Sequence, residues 1–280
     1  MDTENKKFIL KVGVIAAAII SVLLIGAGIF LGLFLFIGGK SSLNKMAENY
    51  EVYDAEIYAK RFGDKIIKEL VLNYGKDINQ TGEEDIGGLY QAIKHNNIKA
   101  VKFFIENNAN VEIAAFDRKT PLIIAVGNSY LETAKILIEN GANINNTNGD
   151  SWADTPLMTA SRLGLDNVVR ILLSRNADIN AVDMNGNTAL HTAALNSQLS
   201  VIKLLLEKNP NLDIQNKVGN TALHLAVISG NIDIVGELVL KGANARIRNN
   251  DRRYPIDIAR ANNSAAIFEI LREAENKNNE

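Results

Sequence analysis

The chain contains no cysteine among its 280 residues, only four prolines and a single tryptophan. Without cysteine it has no disulfide framework, no thiolate nucleophile and no cysteine-based zinc site. Its net charge of −2 at pH 7 is too small to indicate a nucleic-acid partner. The remaining composition, 47% hydrophobic and 22% charged residues, is typical of an ordered protein. The arrangement of the apolar residues therefore carries most of the information.

Charge is absent from one long stretch, Val12 to Ile37, in which Ser21 is the only polar side chain. A helix of this length would reach roughly 39 Å, enough for a hydrocarbon core of about 30 Å. A cleaved signal peptide is the competing interpretation, but its apolar core is shorter, at most about 15 residues, and a small-residue cleavage site follows it. We therefore expect an N-terminal tail over residues 1–11 and one transmembrane helix over residues 12–37.

Lysines flank this segment unequally. Lys6, Lys7 and Lys11 precede it, whereas Lys40 and Lys45 follow it closely. Because positive residues are enriched on the cytoplasmic side, the pattern favours a cytoplasmic N-terminus, with the rest of the chain on the opposite side of the membrane.

Two glycines inside the segment, Gly28 and Gly32, have the small-xxx-small spacing that lets membrane helices approach closely. This spacing is compatible with a homodimer formed through the transmembrane helix. Residues 38–53 then form a polar juxtamembrane spacer, either partly helical or disordered.

One phrase recurs every 33 residues further along the chain. It reads Thr-Pro-Leu-Met-Thr-Ala from Thr155, Thr-Ala-Leu-His-Thr-Ala from Thr188 and Thr-Ala-Leu-His-Leu-Ala from Thr221. A fixed period of this size indicates one supersecondary unit that is copied and stacked, because a unit this small cannot bury its own apolar face. The chain is therefore predicted to be a solenoid.

Local signals define the unit. Thr120 and Thr155 are predicted to cap helices that begin at Pro121 and Pro156, where proline loses no hydrogen bond. Left-handed residues are expected to end each helix: Gly164 and Gly230 after first helices, and Gly141, Gly242, Asn176 and Asn209 after second helices. Each unit is thus predicted to be a helix, a turn, a second helix and a hairpin.

The phrase resembles the signature of the ankyrin repeat, Thr-Pro-Leu-His-x-Ala at a 33-residue period. The resemblance extends to the Gly164 break, to Val168, Val169, Leu172 and Leu173 in the second helix, and to Ala177-Asp178-Ile179-Asn180 at the hairpin. It implies an all-α ankyrin-repeat solenoid that binds protein partners on its concave side.

Counting the period in both directions places an ankyrin-repeat domain over residues 54–272 and a polar tail over residues 273–280. The first and last units depart most from the phrase and are interpreted as caps. Seven units are predicted, opening at residues 54, 87, 120, 155, 188, 221 and 254.

No catalytic constellation is recognisable, so we expect a protein that is not an enzyme and that has no catalytic residue, no cofactor and no metal site. His191 and His224 occupy the same place in the phrase, and the resemblance implies that they tie neighbouring units together by hydrogen bonds. The oxygen-rich residues 146–150 do not fit a calcium loop and are interpreted as a turn. An arginine cluster, Arg246, Arg248, Arg252 and Arg253, is compatible with a solvated end cap or with binding of a phosphate or an acidic peptide.

The resemblance also places candidate partner-binding residues on hairpin tips and on the exposed face of each first helix. Trp152 lies in the only insertion, so it is a candidate anchor, although it is equally compatible with packing over the next hairpin. The candidates are Phe116, Asp117, Ser151, Trp152, Arg162, Leu163, Met184, Asn185, Leu195, Lys217, Val218 and Ile228.

Together these observations predict a membrane-tethered module that binds a protein partner through its concave groove. The alternative is a structural assembler that self-associates through Gly28 and Gly32 and links membrane complexes.

Overall fold

The computed structural model describes residues 88–112, 119–147 and 153–277. The predicted transmembrane helix over residues 12–37, with Gly28 and Gly32, lies outside these residues, as do the spacer over residues 38–53 and the unit that opens at residue 54. Every helix within the described ranges is too short or too polar to cross a lipid bilayer.

The described residues form six pairs of antiparallel helices and no strand. The first helices of the pairs are α1 (Gly88–Lys94), α3 (Pro121–Gly127), α5 (Pro156–Leu163), α7 (Ala189–Leu195), α9 (Ala222–Ser229) and α11 (Pro255–Ala261). The second helices are α2 (Ile98–Glu106), α4 (Leu131–Glu139), α6 (Asp166–Ser174), α8 (Leu199–Leu206), α10 (Ile232–Leu240) and α12 (Ala265–Lys277).

Threonine side chains start the first helices as predicted. The Oγ1 atom of Thr120 accepts a hydrogen bond from the Ile123 amide at 3.4 Å, and that of Thr155 accepts from the Met158 amide at 3.3 Å. Each threonine thereby satisfies one of the free amides in the first turn of its helix. The predicted caps are confirmed.

Left-handed residues end the helices as predicted. Gly164 has φ of 68° and Gly230 has φ of 71°, each just after a first helix. After second helices, positive φ is found at Gly141, Gly242, Asn176 and Asn209. Asn96 adopts φ of 51° at the equivalent break of the first described unit, because asparagine tolerates this conformation better than most residues. The predicted left-handed residues at the helix ends are therefore confirmed.

The helices stack in two layers, because each first helix packs on the next first helix and each second helix packs on the next second helix. A column of alanines makes the inner layer possible: Ala125, Ala160, Ala193, Ala226 and Ala259 all have 0% exposure. Side chains this small let neighbouring helices approach closely. A single apolar core therefore runs along the whole described array.

The last three hairpins, over residues 183–187, 216–220 and 249–253, contact one another. The Lys217 amide donates to the Asn185 carbonyl at 2.8 Å, and the Asn250 amide donates to the Val218 carbonyl at 3.1 Å. Side chains add a second row, in which Asn216 Nδ2 donates to Asn187 Oδ1 at 2.8 Å. The tips of these three hairpins are thus fixed relative to one another along one edge of the array.

A further row of hydrogen bonds between neighbouring units ends differently at the last helix pair. Asn180 and Asp213 each accept a hydrogen bond from an amide of the next hairpin, at 3.0 Å in both cases. At the equivalent position Arg246 donates to the carbonyl of Glu275 in α12 at 2.8 Å. Arg248 stacks over the Tyr254 ring at 4.7 Å. These contacts fit the end-cap interpretation of the arginine cluster, while Arg252 and Arg253 are exposed to solvent.

Candidate partner-binding groove

The inner layer and the hairpins enclose an open depression of about 690 Å³, which we call the groove. Its buried members are Ile123, Ile124, Thr159, His191 and Leu225. Its half-buried members are Tyr90, Lys119, Asp154, Asp183, Asn187 and Thr192. Its exposed members are Lys94, Gly127, Asn128, Arg162, Leu195 and Asn196. The lining therefore extends over five consecutive helix pairs.

Large apolar side chains are exposed along this side of the molecule. Leu195 is 50% exposed within the groove, and its equivalent in the next unit, Ile228, is 44% exposed. On the hairpin tips, Met184 and Val218 are 54% and 58% exposed. The interior of the array does not require these side chains, so their exposure is typical of a surface that another molecule covers.

Charge in the groove is unequally exposed. Arg162 Nη2 lies 2.7 Å from Asp154 Oδ2, but the Arg162 side chain is 46% exposed whereas the Asp154 side chain is only 13% exposed. The Asp183 carboxylate is occupied within its own hairpin, where Oδ1 accepts from the amides of Asn185 and Asn187 at 2.7 Å each. A partner in the groove would therefore meet mainly the cationic group of the ion pair.

His191 joins α7 to the following hairpin. Its Nδ1 atom accepts a hydrogen bond from the Thr188 amide at 3.2 Å, so in the neutral ring the proton lies on Nε2. Nε2 then donates to the carbonyl of Asn220 at 3.0 Å. The ring thus closes the first turn of α7 and holds the next hairpin, as the resemblance implied.

His224 repeats this arrangement one unit later. Its Nδ1 atom accepts from the Thr221 amide at 3.2 Å, and Nε2 donates to the Arg253 carbonyl at 3.2 Å. Burial lowers the pKa of both imidazoles below the usual value, by removing water from the charged form. Both rings are neutral at pH 7 and serve as hydrogen-bond bridges between units.

Within the described ranges, no three or more histidine, aspartate or glutamate side chains cluster in a way that could hold a metal ion. The nitrogens of His191 and His224 are engaged with backbone atoms, so these imidazoles are held as structural links. What the groove offers is a shaped surface of apolar, hydroxyl, amide and cationic groups.

The structure brings two of the predicted partner-binding residues, Arg162 and Leu195, into the groove. Six others lie outside its lining: Leu163, Met184, Asn185, Lys217, Val218 and Ile228. All six are exposed to solvent, and their role in binding stays a prediction. Phe116, Asp117, Ser151 and Trp152 lie outside the described residues.

Several groove residues were missed by the sequence analysis. Lys94 occupies the same place in its unit as Arg162 does in the unit that opens at residue 155. Lys94 would have been found if the position of Arg162 had also been read off in the unit that opens at residue 87. Tyr90 and Asp183 had no such signal, because they lie at places where other units carry core or hairpin residues.

Curated proteins from several kingdoms share segments with this chain. The putative E3 ubiquitin-protein ligase XBAT35 of Arabidopsis thaliana is 38% identical over 91 residues, which is 32% of this chain and 20% of that protein. The ankyrin repeat and KH domain-containing protein mask of Drosophila melanogaster is 33% identical over 32% of this chain and 2% of that protein. The putative ankyrin repeat protein FPV244 of fowlpox virus is 31% identical over 42% of this chain and 17% of that protein. The chain thus spans a quarter or less of the length of these relatives.

A family model for ankyrin repeats, built from three copies of the repeat, matches residues 56–148, 145–216 and 208–280. These matches together extend over most of the sequence and include all six helix pairs. The 33-residue period, the threonine-capped first helices and the histidine bridges agree with this match. The chain belongs to the ankyrin-repeat family.

Proposed function

We propose that this chain is a membrane-tethered interaction module that binds a protein partner in the groove. Ankyrin repeats indicate a protein–protein interaction module. The observation that carries the proposal is the exposure of Leu195 and Ile228, at 50% and 44%, beside a depression lined by hydroxyl and cationic groups. Contiguous exposed apolar residues rimmed by polar ones are typical of sites where another molecule binds.

The tether is proposed from the sequence. The uncharged residues 12–37 are long enough for a transmembrane helix, and the lysine asymmetry favours a cytoplasmic N-terminus with the repeats on the other side. Confining the groove to a membrane surface would raise its effective concentration toward other membrane-associated proteins.

Binding of this kind needs no cofactor, and we propose that the chain is not an enzyme. The ligase named among the relatives matches over only 20% of its own length, so its activity is a property of that protein. The groove side chains described above are suited to contact rather than to bond making or breaking.

Site-specific photo-crosslinking tests the groove directly. A crosslinking amino acid at Asn196, an exposed groove residue, is compared with one at Arg170, an exposed residue of α6 that does not line the groove. In cells that produce the protein, we expect a discrete protein adduct from position 196 and none from position 170. No adduct from position 196, or the same adduct from both positions, would contradict the proposal.

Membrane tethering and self-association need separate measurements. We expect the full chain to remain with the membrane after alkaline carbonate extraction, and external protease to digest the repeats on intact cells. Release of the chain from the membrane by carbonate would contradict the tether. Repeats that resist external protease would contradict their placement on the side opposite the cytoplasm. If Gly28→Leu with Gly32→Leu abolished both self-association and the adduct from position 196, the structural-assembler alternative would replace the independent groove.

A further inference from the structure

The charge of the groove changes along its length. Its exposed cations are Lys94 and Arg162, which belong to the units that open at residues 87 and 155. Lys94 is exposed and has no ion pair among the described residues. From Asn187 onward, the lining carries no ionised side chain at pH 7, because His191 is neutral. The earlier half of the groove therefore carries its exposed cations together with two less exposed carboxylates, Asp154 and Asp183, and the later half is uncharged.

The uncharged half is also the more apolar half. Leu195 is exposed there, and Ile228 continues the same row in the next unit. Both occupy the place in their units that Lys94 and Arg162 occupy in theirs, so one row of equivalent positions changes from cationic to apolar. A partner that lies along this row meets the two kinds of surface in sequence.

We propose that the groove recognises an acidic amphipathic segment of its partner, with aspartate or glutamate over Lys94 and Arg162 and large apolar side chains over Leu195. This inference rests on the proposed function and adds the chemistry of the partner to it. Asp154 is mostly buried and leaves the outer face of the Arg162 guanidinium exposed. A carboxylate of the partner can therefore bind the same guanidinium from the solvent side.

The length of the segment follows from the stacking. Neighbouring helices pack about 8–10 Å apart, so the four steps from the unit of Lys94 to the unit of Ile228 span about 32–40 Å. An extended chain advances about 3.3 Å per residue. About 10 to 12 extended residues therefore fill the groove.

Selection from a random peptide library tests this chemistry before the partner itself is identified. The full chain, held in detergent micelles and immobilised, is used to select 12-residue peptides displayed on phage. We expect the selected peptides to combine aspartate or glutamate with leucine, isoleucine, phenylalanine or tryptophan. The affinity of the best synthetic peptide is then measured for each variant by fluorescence anisotropy at two salt concentrations.

Lys94→Glu is the charge variant, because it breaks no ion pair in the described structure, and Arg162→Gln is the second. The matched control is Arg170→Glu, an exposed arginine on the outer layer. We expect Lys94→Glu to weaken the peptide at least about tenfold and to select fewer acidic peptides. The control should change affinity by less than about twofold, and added salt should weaken binding to the unmodified chain more than to Lys94→Glu.

The outcomes separate this inference from the proposed function. If the unmodified chain and Lys94→Glu select the same peptides with the same affinity, acidic recognition is wrong while groove binding stands. If the selected peptides bind Leu195→Ser with Ile228→Ser as tightly as the unmodified chain, they occupy another surface. Both the inference and the proposed function then fail, as they do if no peptide is selected.

Discussion

His191 reaches across the interface between two units and donates from Nε2 to the carbonyl of Asn220 at 3.0 Å. The same ring accepts at Nδ1 from the Thr188 amide, and this second bond requires the neutral form because a protonated Nδ1 cannot accept. His224 makes the same pair of contacts with Thr221 and Arg253. The stacking of these units is therefore coupled to the protonation of two buried imidazoles.

Stability should fall as the pH is lowered below 6.5. Burial lowers the pKa of both histidines in the folded state, so the unfolded chain binds protons first as the pH falls. Their contribution is complete above the unfolded pKa of about 6.5 and is lost between that value and the lowered folded values. Each histidine can reduce the free energy of unfolding by up to about 1.4 kcal/mol per pH unit in this window. Urea unfolding between pH 7.5 and 5 measures the slope.

The chain supplies its own control for this experiment. Met158 occupies the place of the histidines in the unit that opens at residue 155, and its Sδ atom accepts from the Thr155 amide at 3.5 Å. His191→Met with His224→Met should be less stable at pH 7.5 by about 1 kcal/mol per lost interunit hydrogen bond, and should lose most of the slope. An unchanged slope in this double variant would show that other groups titrate.

Gly219→Ala should destabilise the protein more than Gly242→Ala. Both glycines have positive φ, 77° and 88°, so alanine is strained at either position by about 1 kcal/mol. A Cβ atom at Gly219 would also lie 2.5 Å from the Asn250 amide nitrogen, whereas nothing lies within 4 Å at Gly242. We expect an additional loss of about 1–2 kcal/mol at Gly219, since backbone of the next hairpin must move. Equal losses by urea unfolding would contradict the tip-to-tip contact.

Arg252 tests the same contact from the other side. It lies one period after Gly219 and has φ of 60°, with no further hairpin in the described structure to restrict its side chain. Arg252→Gly should therefore raise the free energy of unfolding, by up to about 1 kcal/mol, because the left-handed strain is relieved. Thermal unfolding that shows a clear loss of stability would mean that the arginine side chain makes a stabilising contact.

Ser161→Ala should also stabilise the protein. Ser161 in α5 is 0% exposed, and its Oγ atom has no hydrogen-bond partner within the described residues. Removing an unsatisfied hydroxyl should raise the free energy of unfolding by about 1 kcal/mol. The control is Thr133→Val, which removes a buried hydroxyl that donates to Asn96 Oδ1 at 3.1 Å and should lower stability by a similar amount. If Ser161→Ala lowered the free energy of unfolding as much as Thr133→Val, the Ser161 hydroxyl would have to make a stabilising hydrogen bond.

Much of the fold was predictable because its determinants are local and periodic. Thr155 and Pro156 specify a helix start within a few residues, and Gly164 specifies its end. The 33-residue period then implies stacking, because no unit buries its apolar face alone. The alanine column, from Ala125 to Ala259, is visible in the sequence as the last residue of each phrase.

The contacts between units were harder to predict. The period shows that His191 and His224 are equivalent, and only the resemblance implied their role, because the Asn220 carbonyl lies 29 residues away. Gly219 looks like an ordinary turn glycine until the Asn250 backbone is placed against it. The groove is another such property: Lys94 and Leu195 line one surface only because the helix pairs between them stack in register.

The affinity of the purified crosslinked partner measures whether the groove is the binding surface. Leu195→Ser with Ile228→Ser is compared with Ile232→Ser with Leu240→Ser, which changes side chains of α10 that are 48% and 80% exposed outside the groove. We expect the first pair to weaken the complex at least about tenfold, while the second changes affinity by less than about twofold. Equal effects of the two pairs, or no loss from the first, would contradict binding in the groove.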